Sequence, residues 1–115
     1  MMRVEFSVTD DGKSLVLTAK GHAQMSAKGT DVVCAAASIL VYQAAEVVNV
    51  FQSNGLLKKK PTIKLEDGNA VITAKPRKDK FAELKFAFCV VQKGFELIAE
   101  SYPDNVKLKM FSMGQ

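Results

Sequence analysis

His22, the only histidine in the chain, closes an apolar run beside Gly21, and Cys34, one of two cysteines, stands near the start of a long apolar stretch that follows Asp31. A thiol attacks as its thiolate. The pair therefore becomes a nucleophile and its base if the fold brings the imidazole within hydrogen-bond reach and supplies local positive potential. Asp31 reads as the N-cap of a helix, which would put Cys34 in the first turn, among unpaired backbone N–H groups and at the positive end of the dipole. Such N–H groups are also candidate donors to the oxyanion of acyl transfer. Asp31 has a second reading, as the acid that orients His22 in a triad. Ser38, one helical turn beyond Cys34, either hydrogen-bonds its sulfur or simply allows close packing. Cys89, between Phe88 and Val90, reads as core. With one histidine and two distant cysteines there is no close metal-ligand pair, and no Gly-rich phosphate loop occurs, so neither a metal nor a cofactor is expected.

These residues need a scaffold, and the hydropathy pattern supplies one. Val4, Phe6 and Val8 alternate with Glu5 and Ser7, Asp10-Asp11-Gly12-Lys13 is a turn, and Leu15, Leu17 and Ala19 alternate on the return: a β-hairpin that stops at Gly21-His22. Residues 23–30 follow neither period and offer only Met25 as a sizeable apolar side chain. They read as an exposed loop, mobile without substrate, with Gly21 and Gly29 as hinges. Residues 31–53 take helical spacing, with Val32, Ala35, Ala36, Ile39, Leu40, Gln43, Val47, Val48 and Phe51 in step. This helix is expected to be buried over most of its surface and to stop at Asn54-Gly55.

Asp67-Gly68 turns a second hairpin between residues 62–66 and 70–74. Asp79 is placed to cap a second helix, in which Phe81, Leu84, Phe88, Val91, Phe95, Ile98 and Tyr102 recur at steps of three and four until Pro103 ends it. Lys85 falls on its opposite face. Val106, Leu108 and Met110 form a last strand. The order β-β-α-β-β-α-β gives an α+β fold, a mostly antiparallel sheet with two helices packed on one face, within a single domain spanning residues 1–115.

Composition narrows the class. At 115 residues the chain can bury a real core, and 48% hydrophobic with 24% charged residues is ordinary for a globular protein. No apolar run near the roughly 20 residues of a membrane span is apparent, and the N-terminus lacks a signal-like core, so neither membrane nor export is expected. Two cysteines imply no disulfide framework, which favours a reducing cytoplasmic setting. The net charge of +4 is mild. The basic residues at 58–60 and 75–80 read as solvated connections.

The residues Gly21-His22-Ala23, a loop containing Gly29, and Asp31-Val32-Val33-Cys34-Ala35-Ala36-Ala37-Ser38 resemble the signature of the ribosomal-processing cysteine protease family (Prp, YsxB-like). The length and element order agree with that family over essentially the whole chain. The resemblance implies a bacterial cytoplasmic cysteine endopeptidase that removes a short N-terminal extension from a large-subunit ribosomal protein, the twenty-seventh of the L series. It carries over His22 as base and Cys34 as nucleophile, matches Asp31 to a motif position, and implies a homodimer. Ala37 departs from the bulkier residue usual in the family. The alternative is a non-enzymatic ribosome- or RNA-associated α+β module. A sheet-based RNA binder displays aromatics on its open face, whereas here the outward strand positions are mainly Arg3, Glu5, Ser7, Lys64, Lys107 and Lys109, so direct nucleic-acid binding is not expected.

Overall fold

The computed structural model describes residues 1–22 and 27–112, residues 27–31 by their backbone only. Strands β1 (Met2–Val8) and β2 (Leu15–Lys20) precede helix α1 (Ala27–Ser53). Strands β3 (Thr62–Glu66) and β4 (Asn69–Ala74), a 3-10 turn at Lys78–Lys80, helix α2 (Phe81–Ser101) and strand β5 (Val106–Lys109) follow. This is the order expected from the pattern. The sheet runs β3-β4-β2-β1-β5, with only the β1–β5 pair parallel.

Alternation in the strands decides which face the helices cover. Phe6 of β1 stands opposite Leu17 of β2, which stands opposite Ile72 of β4, so one row of inward side chains crosses three strands. All three are at most 1% exposed, and burying a side chain of this kind contributes about 1.5–3 kcal/mol. From above, Leu84, Phe88, Val91 and Phe95 of α2 close the core, with the Phe95 ring meeting Phe6 edge-on at 5.9 Å.

Five local expectations are corrected. Helix α1 begins at Ala27, so residues 27–30, expected to be loop, form its first turn, and Asp31 does not cap it. Its buried face is Val33, Ala37, Val41, Ala44, Ala45 and Val48, while Val32 and Ile39 point outward. The outer positions of α1 are themselves apolar, so a period of 3.6 fits more than one face and does not select between them. For the same reason Val32–Ser53 is, by length and composition alone, long and apolar enough to cross a membrane, contrary to expectation. Its inner face is instead packed on α2 and on β4 of the sheet. Asp79 lies inside the 3-10 turn, paired with Arg77, and Lys80 takes the cap position of α2. Lys85 is half-buried, its Nζ 5.5 Å from the centre of the Phe111 ring, because it occupies the flank of α2 and not the face opposite the core.

Candidate active site

The end of β2 is held from two sides. The Gly21 N–H donates to the carbonyl of Gly68 at 2.9 Å, and a Cβ at Gly21 would run into the carbonyl oxygen of Met1. With φ at +87°, this position needs glycine on both counts. His22 follows, exposed. Pairing of Lys20 with Asn69 brings the β3–β4 turn alongside it. The imidazole lies against that turn: a Cβ built on Gly68 would be 2.8 Å from Nε2.

Helix α1 supplies the facing wall. Cys34 is half-buried and packed against the core, and Ser38 follows one turn later, exposed. His22, Cys34 and Ser38 line one open cavity of about 350 Å³, with Met2 and Ala37 among its apolar lining and Asp67 among its polar lining. Thus a strand end, a helix and a hairpin turn bring His22 and Cys34 to one space. No hydrogen bond joins the two among the described residues. Also in the wall, Asn69 buries an Oδ1 that has no hydrogen-bond partner among the described residues. No group of His, Cys, Asp and Glu suited to a metal ion occurs among the described residues.

Asp31 is the fifth residue of α1, and its side chain lies outside the described residues, as does the first half of the loop expected over 23–30. Cys34 is the eighth residue of α1, about 10 Å along the axis from the first at 1.5 Å per residue. The dipole acts within the first turn, and the free N–H groups belong to residues 27–30. The expected help of the helix start to Cys34, or to an oxyanion beside it, is therefore withdrawn. Cys89 is half-buried on the flank of α2, not in the core, and does not line the cavity. Sequence reasoning missed the β3–β4 turn as a wall of the site. The Asp67-Gly68 turn signal was legible, but the β2–β4 register that carries it to His22 was not.

A thiol and an imidazole lining one open cavity are the two groups that cysteine hydrolysis uses. The profile of the family described as Cysteine protease Prp matches residues 1–107. The chain is 25% identical over 108 residues to the ribosomal processing cysteine protease Prp of Staphylococcus aureus strain Mu50, covering 94% of this chain and 97% of that one. It superposes with a TM-score of 0.65 on the crystal structure of the essential ribosomal processing protease Prp from S. aureus in complex with a covalently linked product peptide, at 26% identity, covering 96% of this chain and 99% of that one. A second crystal structure of that protease, with a substrate peptide, matches with the same TM-score at 25% identity and the same coverage.

The chain belongs to the cysteine protease Prp family. It is a cysteine protease.

Proposed function

We propose that this protein is the endopeptidase that removes the N-terminal extension of a large-subunit ribosomal protein during ribosome assembly in the cytoplasm. The observation that carries the reading is the convergence of His22 and Cys34 on one cavity. Relatives matched over nearly their whole length are ribosomal processing proteases.

The chemistry is nucleophilic acyl transfer. His22 accepts the proton of Cys34, and Sγ attacks the scissile carbonyl to form a C–S bond. Collapse of the tetrahedral adduct breaks the C–N bond, with His22 returning its proton to the leaving amine. Water, deprotonated by His22, then hydrolyses the thioester and restores the thiol. The two side chains already share a cavity in the free protein, and substrate binding shortens their contact into a hydrogen bond, an ordinary feature of unliganded catalytic sites. Ser38 and Asp31 are supporting candidates, Ser38 from within the cavity wall.

The protein acts as a homodimer. In support, the outer faces of α1 and α2 carry Ile39, Val50, Phe86 and Leu97 at 55–71% exposure, large apolar side chains of the kind that an interface between two copies covers. The direct test of the substrate is to incubate the protein with the N-terminally extended ribosomal protein and read the product by mass. One shortened product with a single new N-terminus is expected. An extended protein left intact would overturn the assignment.

A further inference from the structure

We propose that Gly68 is a positioning residue for His22: the bare Cα of the β3–β4 turn is the surface against which the imidazole is set so that it faces Cys34. The inference rests on His22 acting as the base of Cys34. His22 is exposed, follows the end of its strand, and makes no hydrogen bond among the described residues. Such a ring has several staggered side-chain positions open to it unless something solid excludes them. The solid object here is the turn. A Cβ on Gly68 would stand 2.8 Å from Nε2 and 3.3 Å from Cε1 of His22, against the backbone of a segment that the Gly21 N–H already ties to the histidine's own strand at 2.9 Å.

The plainer explanation is that Gly68 is glycine only because its φ of +71° requires one. Two other glycines separate the explanations. Gly12 and Gly55 have φ values of +74° and +70°, yet a Cβ at either meets nothing within 4 Å. Alanine at 12 or 55 therefore imposes the same backbone strain without the contact. Alanine at 68 imposes both, and displaces the imidazole.

The experiment follows the alkylation rate of Cys34 against pH in a Cys89→Ser background, with each variant shown to be folded. Gly68→Ala should slow the reaction near neutral pH about tenfold, since small misplacements of a catalytic group cost one to two orders of magnitude. Gly12→Ala and Gly55→Ala should leave it unchanged. In a His22→Ala background, Gly68→Ala should have no further effect, because it acts through the ring. A Gly68→Ala rate equal to that of Gly12→Ala, or the same slowing with and without His22, overturns the proposal while leaving the dyad intact. A His22→Ala variant with undiminished reactivity overturns the dyad, and the proposal with it. Should Gly68→Ala not fold, the wild type decides: a proton Overhauser contact between His22 Hε1 and Gly68 Hα is expected, and its absence overturns the proposal.

Discussion

Leu40 of α1 seats its Cδ atoms against Gly94 of α2, where an added Cβ would lie 2.7 Å from Cδ2. This contact sets how closely the helix that carries Cys34 approaches the helix that closes the core. Gly94→Ala crowds only the mobile end of Leu40 and gains about 1 kcal/mol of helix propensity. Its unfolding free energy should therefore stay within about 1 kcal/mol of the wild type, on the same scale of effects. Gly94→Leu has no such escape and should lose about 1–3 kcal/mol through overpacking. Urea denaturation of both variants checks this, and equal losses would mean that the helices are not held at Gly94.

Within α2, Phe88 is fully buried, so Phe88→Ala should cost about 3–5 kcal/mol. Lys93 is 73% exposed and reaches Glu96 at 3.5 Å, a surface pair worth a few tenths of a kcal/mol. Lys93→Ala should be near neutral by the same measurement. Comparable losses would contradict the orientation of the helix.

The two helices also show what a sequence reveals. In α2, polar residues such as Lys93 alternate with the core positions, and the pattern identified Phe88 and Phe95 as interior. In α1 the outward side chains Val32, Ile39 and Val50 are as apolar as the inward Val33 and Val41, so the buried face could not be read. His22 and Cys34 stood out as candidates because their types are rare in the chain and their motif is specific, and the structure brings both to one cavity. Gly68 was legible only as a turn residue, since its place beside His22 depends on pairing between strands separated by α1. The start of α1 was misread because residues 27–30 follow no apolar period, although they are helical.

A pH effect is expected at the first hairpin. The hydroxyl of Thr9 donates to Asp11 Oδ1 at 2.7 Å, and the Lys13 N–H donates at 2.9 Å. These bonds, the Thr9 bond foremost, hold the Asp11 carboxyl below its ordinary range. A carboxyl lowered by folding stabilises the protein above its unfolded pKa, and this contribution is lost as pH falls through the folded value. Thr9→Val should move the Asp11 titration upward in a carbon-detected NMR experiment. An unmoved titration would show that the hydroxyl is not the cause.

For the helix face, Phe86→Asp combined with Leu97→Asp should convert a dimer to a monomer in sedimentation equilibrium while leaving the far-UV spectrum unchanged. A wild type that sediments as a monomer throughout the micromolar range would contradict the dimer.

The most direct measurement is the rate of cleavage of the extended ribosomal protein by the wild type, Cys34→Ala and His22→Ala at neutral pH. The account predicts no product from Cys34→Ala above a protein-free control, and a loss of about 10²–10⁴ in kcat/KM for His22→Ala, the usual worth of a general base. Cleavage by Cys34→Ala at the wild-type rate would contradict it.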